Sequence, residues 1–212
     1  MQIKKWKFQC TNNTKAMKEI PFDGNYWSKR YLDKETGWDL GGVATPLAAY
    51  FDQLENKNLK ILIPGCGNAY EAEYLLSKGF AHITLLDISE VLVKSLQQKF
   101  AENPQIRVIE GDFFEHSGKY DLIIEQTFFC ALVPSLRPLY AEKMAELLNA
   151  NGKLVGLLFD KHFQVNPPFG GEKSEYIQYF EPYFDCKVFD ACYNSVAPRQ
   201  DTELFMIWQR KK

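Results

Sequence analysis

From residue 59 onward, short apolar runs alternate with segments of helical spacing, and this alternation constrains the fold more than any other feature of the chain. Residues 59–63, 83–86, 107–109, 120–124 and 154–159 read as strands. Residues 70–77, 89–101 and 137–148 read as the helices between them, with another helix at 174–180. Strands separated by helices pair in parallel, and a parallel sheet is covered on both faces, which suits unbroken apolar runs such as Leu122-Ile123-Ile124. Two final β-rich segments, 186–189 and 204–208, have no long helix between them, so one strand is expected to run antiparallel. The predicted architecture is α/β: a single doubly wound, Rossmann-like sheet of seven strands, mostly parallel, with one reversed strand near the C-terminus. At 212 residues the chain has the size of one such domain.

The first strand runs into Leu62-Ile63-Pro64-Gly65-Cys66-Gly67-Asn68, and the second ends at Asp87. Glycines let the backbone turn sharply and approach a ligand without a Cβ in the way. A carboxylate at the next strand end can accept hydrogen bonds from both hydroxyls of a ribose. Together these features point to an adenosine-containing cofactor. The plainer alternatives are a turn whose glycines serve chain reversal alone, and an Asp87 that only stabilises the helix start at Ser89. After the third strand comes Gly111-Asp112-Phe113-Phe114, where an Asp can accept from an exocyclic amine and an aromatic can pack on a base. An acidic turn beside glycine is also ordinary loop chemistry. A nicotinamide dinucleotide usually needs a third glycine, and Tyr70 occupies that slot. S-adenosylmethionine has one adenosine and no pyrophosphate to cradle, so Gly-Cys-Gly suits it better.

Net charge is −2, with basic stretches only at Lys4-Lys5-Trp6-Lys7 and Arg210-Lys211-Lys212, so nucleic-acid binding is not expected. The five cysteines form no Cys-x-x-Cys pair, which fits a reducing cytoplasm. The three histidines lack metal-ligand spacing, so no metal is expected. No apolar run is long enough to span a bilayer, and Met1-Gln2-Ile3-Lys4-Lys5 does not open a signal peptide, so no membrane partner is expected. Residues 1–45 carry many large rings but no strong period, and read as a segment covering the site of a domain at 46–212 that opens with a helix over 46–54. A Trp face attracts a sulfonium cation by about 0.5–2 kcal/mol. The alternative is that these rings form a small satellite core.

Trp27, Tyr31 and Trp38 precede Asp39-Leu40-Gly41 and Pro46-Leu47; later come Ile63-Pro64-Gly65-Cys66-Gly67, Asp87-Ile88-Ser89 and Gln126-Thr127-Phe128-Phe129-Cys130-Ala131-Leu132. From about Tyr26 onward this set resembles the thiopurine S-methyltransferase superfamily, especially its thiol and halide methyltransferase branch. The resemblance implies a class I methyltransferase fold that uses S-adenosylmethionine. It also implies methyl transfer to a small-molecule acceptor: a thiol, sulfide, thiopurine-like heterocycle or halide. The implied cofactor contacts are Trp27, Tyr31, Trp38, Gly65, Cys66, Gly67, Asp87, Ile88, Asp112, Phe113 and Gln126, with Arg137 touching the cofactor region and Arg199 near the acceptor.

Glu125 ends the fourth strand, where it would either orient the methionine amino group or acceptor, or serve as a hydrogen-bonded structural carboxylate. Cys130 reads as a small buried apolar residue rather than a nucleophile. Asn166-Pro167-Pro168-Phe169 matches an amino-methyltransferase signature but follows the fifth strand instead of the fourth, so it reads as a rigid loop near the substrate mouth. Direct in-line transfer to a thiolate needs no strong base, and the chain shows no catalytic triad. A monomer is expected. The rival readings are a nicotinamide-dependent oxidoreductase and a protein that binds S-adenosylmethionine without catalysis.

Overall fold

Strand β1 (Lys60–Pro64) lies inside the sheet because every residue after Lys60 is buried. The structure, a computed structural model, describes residues 22–212, so Lys4-Lys5-Trp6-Lys7 lies outside the described residues. On one side of β1 stand β2 (His82–Asp87) and β3 (Ile106–Glu110), and on the other β4 (Tyr120–Gln126) and β5 (Leu148–Phe159). These strands pair in parallel. Beyond β5 come β7 (Glu203–Arg210) and then β6 (Phe184–Ala191), with β7 antiparallel to both neighbours. The sheet thus has seven strands in the order β3-β2-β1-β4-β5-β7-β6 with one reversed, as the alternation of the sequence predicts.

Alternate residues of the strands feed two cores. Ile61, Ile63, Leu85 and Ile124 pack on one face with Leu47 and Phe51 of α2 (Thr45–Phe51), Leu75 of α3 (Tyr70–Ser77) and Leu92 and Leu96 of α4 (Glu90–Lys99). Leu62, Ile123 and Leu154 pack on the other with Tyr140 and Met144 of α5 (Arg137–Leu147) and Phe180 of α6 (Lys173–Phe180). Full burial of each such side chain stabilises by about 1.5–3 kcal/mol.

Local signals explain most boundaries. Ser89 caps α4, its Oγ accepting from Leu92 N at 3.2 Å. Gly79, at φ +84°, follows α3 and turns the chain into β2. Two elements differ from expectation. Helix α1 (Gly24–Leu32) is absent from the sequence expectation; none of its residues is fully buried, and Tyr31 packs on the core only in part. Strand β5 begins at Leu148, six residues before the predicted 154, since Asn149, Asn151 and Gly152 read as turn formers although they extend the strand.

The chain runs outward from β1 through β2 to β3, then crosses back to lay β4 on the opposite side of β1. A crevice opens at such a reversal, at the carboxyl ends of the parallel strands. The loops after β1 to β5 all emerge there.

Candidate active site

At that edge lies a cavity of about 410 Å³, within the usual range for a small-molecule site. The loops after β1, β2 and β3 supply Gly65, Asp87 with Ile88, and Gly111-Asp112-Phe113 to its wall. The turn after β4 adds Thr127, Phe128 and Cys130, and the segment after β5 adds Phe163, Pro167 and Pro168. Helix α1 and the loop behind it close the remaining side with Trp27, Arg30, Tyr31 and Trp38. Arg199, from the connection between β6 and β7, completes it.

The β1 turn is shaped for close approach. Gly65 takes φ +55°, and a Cβ there would lie 2.4 Å from the Phe128 ring. Gly67 takes φ +50°, and its nearest neighbour would be the Tyr31 hydroxyl at 3.8 Å. Both conformations are open to glycine without penalty. Cys66 between them is buried, which pushes its thiol well above the usual range.

Asp87 is buried at the end of β2, and burial pushes its carboxyl up to about 6 against hydrogen bonds from the Ser89, Gly67 and Ile88 amides. Ser89 N donates to its Oδ1 at 2.9 Å. No Lys or Arg contributes to its electrostatics among the described residues. A buried carboxylate without a counter-ion calls for further hydrogen-bond donors, and ribose hydroxyls supply two. One turn along the edge, Asp112 Oδ1 accepts from Phe114 N at 2.8 Å, which fixes its carboxylate on the wall beside Phe113. These residues fit an adenosine, and the fit rests on Asp87.

The aromatic side is a set of rings packed edge to face. Trp27 and Trp38 lie 5.4 Å apart at 81°, and Tyr31 and Trp38 lie 5.7 Å apart at 84°. Arg30 places its guanidinium carbon 5.5 Å from the Trp38 ring centroid. Hydrogen bonds tie the segment to the rest of the fold, among them those from Asn68 and Tyr70 to the Asp39 carboxylate. Ser28 Oγ meets Ser89 Oγ at 3.1 Å, and Arg199 Nη2 donates to the Trp38 carbonyl at 2.6 Å. Arg199 is itself buried and pairs with Glu203 at 3.4 Å.

Cys66 and Gly67 sit in the β1 turn beside Gly65 without lining the cavity, and three further sequence candidates, Glu125, Arg137 and Gln126, stand elsewhere. Glu125 is fully buried on the α5 side of the sheet, where Oε1 accepts from the Phe128 and Phe129 amides at 2.8 and 2.9 Å and Oε2 accepts from the Tyr140 hydroxyl at 2.5 Å. Its carboxyl is pushed up to about 7 by burial, and it clamps the turn after β4 rather than reaching the cavity. Arg137 is buried over the rings of Phe129 and Tyr176 and donates to the carbonyls of Phe169 and Gly170, both at 2.9 Å. It anchors the loop that carries Pro167 and Pro168 to the wall. Gln126 does not line the cavity, and its buried Oε1 has no partner among the described residues. Conversely, sequence reasoning did not single out Arg30, Thr127, Phe159 or Phe163, which do line it. Phe159 was reachable by the strand-end rule that found Asp87; Arg30 was not, because α1 was invisible. Cys130 is buried on the wall, its thiol pushed up to about 12 by burial and by the Glu125 charge, which suits a packing residue and not a nucleophile.

The fold and this edge define an S-adenosylmethionine-dependent methyltransferase of class I. Solved structures of that class share the architecture: a Burkholderia thailandensis N1-methyltransferase with bound S-adenosylhomocysteine has a TM-score of 0.71 and 16% identity over 89% of this chain and 87% of that one. A Synechocystis magnesium protoporphyrin IX methyltransferase with the same bound product also gives 0.71, at 17% identity over 89% and 98% of the two chains. Within the class, the chain belongs to the thiopurine S-methyltransferase family, which it matches over residues 22–207. A probable thiol methyltransferase 2 from Arabidopsis thaliana is 32% identical over 191 residues, covering 87% of this chain and 84% of the relative. A thiocyanate methyltransferase 1 from Brassica oleracea is 29% identical over 192 residues, with the same coverage.

Proposed function

We propose that the protein transfers a methyl group from S-adenosylmethionine to a small sulfur nucleophile, a thiol or sulfide, by direct in-line displacement. The observation that carries this reading is the division of the cavity. Its two carboxylates, Asp87 and Asp112, stand at the β2 and β3 tips, while the end near β4 and β5 is apolar and aromatic with Arg199 on its wall. Among the described residues the cavity wall includes no histidine or lysine. An acceptor that ionises by itself therefore fits, and a thiol with a pKa near 8.5 is partly thiolate at neutral pH.

S-adenosylmethionine supplies an electrophilic methyl on a sulfonium. The residues of this chain then do three things. Asp87 and Asp112 bind the adenosine, with Gly65 and Gly67 giving the backbone room. Trp27, Tyr31 and Trp38 offer ring faces and edges to the sulfonium, and residues 22–45 close over it. Arg199 attracts the anionic acceptor, and the aromatic walls exclude water from a reaction that annihilates charge, which favours the transition state over solvated reactants. Alignment of the two substrates contributes roughly 7–11 kcal/mol of the barrier reduction. No proton needs to move during the transfer.

The family and the relatives named for thiol and thiocyanate methylation support this acceptor class. The free cysteines Cys66, Cys130, Cys186 and Cys192 suit a reducing cytoplasm. Among the described residues, no helix is long and apolar enough to cross a membrane. In this reading the enzyme works as a monomer on a small diffusible acceptor. The test is methyl transfer from labelled S-adenosylmethionine across sulfide, small thiols, thiopurines, thiocyanate and iodide. Labelled thioether or methanethiol is expected; transfer only to amines or nucleic acid would overturn the assignment.

A further inference from the structure

Thr127 is the first residue after β4, and it holds φ +61°. A β-branched residue in the left-handed region is an outlier that costs on the order of 1–3 kcal/mol, which glycine would avoid. The surroundings force the conformation. Glu125 grips the amides of Phe128 and Phe129, and the Phe128 ring fills the space beside Gly65, so the turn is held from both sides. Thr127 lies on the cavity wall with Gly65, Phe128 and Cys130, and its carbonyl accepts from the Cys130 thiol at 3.2 Å. Thr127 is half-buried on that wall, with no hydrogen bond from its hydroxyl to the described residues. An adenosine held by Asp87 and Asp112 at the tips of β2 and β3 would leave its reacting end for the β1 and β4 side of the cavity, whose wall includes Gly65 and Thr127.

We propose that Thr127 is an acceptor-binding residue whose hydroxyl donates a hydrogen bond to the attacking sulfur and holds it in line with the methyl. This rests on the sulfur-acceptor reading above. The thiol loses its proton to solvent before attack. A lone pair of the thiolate then forms the new sulfur–carbon bond while the methyl–sulfonium bond breaks, its electron pair remaining on the departing sulfur. Thr127 keeps its proton throughout. Because the acceptor's charge disappears during transfer, this hydrogen bond is stronger before the reaction than in the transition state. Its loss therefore weakens acceptor binding more than it slows turnover.

The test compares Thr127→Val, Thr127→Ser and Thr127→Gly with wild type, using sulfide and a small thiol as acceptors. Expected for Thr127→Val is a rise of about tenfold or more in acceptor KM with kcat unchanged or higher, and S-adenosylhomocysteine affinity within about twofold of wild type. Thr127→Ser should restore the acceptor KM. Thr127→Gly should match the Val variant in KM while melting at a higher temperature, as backbone strain is released. An unchanged acceptor KM in Thr127→Val, or product affinity falling in step with it, would overturn this inference alone. A wild-type enzyme inactive on every sulfur acceptor would overturn the sulfur reading and this inference together.

Discussion

At the scale of single residues, the site is built from groups that the fold holds at a cost. Asp87 is the clearest case. Its carboxyl is pushed above the usual carboxylate range to about 6 by burial, so its contribution to folding is fully present at acid pH and is lost as pH rises through about 6. Asp87→Asn removes that penalty and keeps an oxygen for the Ser89 amide. The variant should be more stable than wild type by roughly 1–3 kcal/mol at pH 7.5 in urea unfolding, with the gain vanishing near pH 4. The ribose contact proposed for Asp87 has the opposite sign. S-adenosylhomocysteine affinity should weaken as pH falls through about 6, and Asp87→Asn should abolish that step in a calorimetric titration series. Glu125 works differently, as a clamp. Glu125→Leu strands the Phe128 and Phe129 amides and the Tyr140 hydroxyl, and should lower stability by about 3–5 kcal/mol in denaturant unfolding. Glu125→Gln, which retains an acceptor for the amides, should cost much less.

At the scale of elements, α1 is the piece that turns an open crevice into a cavity, and its fit depends on Gly24. A Cβ at Gly24 would lie 2.6 Å from the Ile88 carbonyl oxygen, directly beside Asp87. Alanine is the better helix former by about 0.5–1 kcal/mol, so Gly24→Ala should leave global stability within about 1 kcal/mol of wild type. It should nonetheless weaken S-adenosylhomocysteine binding about tenfold by pushing α1 off the β2 loop; fluorescence titration with equal affinity would show that α1 does not close the site. The same element marks the limit of what the sequence discloses. Strands and helices that press on the core, such as β1, β2 and α3, leave a mark in the sequence, because burial makes the inner strands apolar runs and selects every third or fourth residue of a helix. No residue of α1 is fully buried, and Trp27, Arg30 and Tyr31 line the cavity instead. Asp87 was legible because a strand end fixes where its side chain stands. Glu125 and Arg137 were legible as charged residues in the right neighbourhood, but which face of the sheet or which loop they serve depends on partners such as Tyr140 and Phe169, distant in sequence.

At the scale of the whole molecule, the site is assembled from both ends of the described chain. Arg199 holds the Trp38 carbonyl across 161 residues of sequence and stands on the cavity wall, so it links the closing segment to the end proposed for the acceptor. Arg199→Met should raise the KM for an anionic acceptor at least tenfold and shift S-adenosylhomocysteine affinity only a few-fold, measured by initial rates and by titration. Cofactor binding should also stabilise the entire fold, by about 2.7 kcal/mol at one hundred times its dissociation constant, since only the folded edge presents all five loops. The most direct test of the account is calorimetric titration of wild type and Asp87→Ala with S-adenosylhomocysteine and, separately, with NADH. The account predicts one site per chain for S-adenosylhomocysteine, a loss of at least thirtyfold in affinity in Asp87→Ala, and no heat with NADH. Undiminished binding to Asp87→Ala, or a preference for NADH, would contradict it.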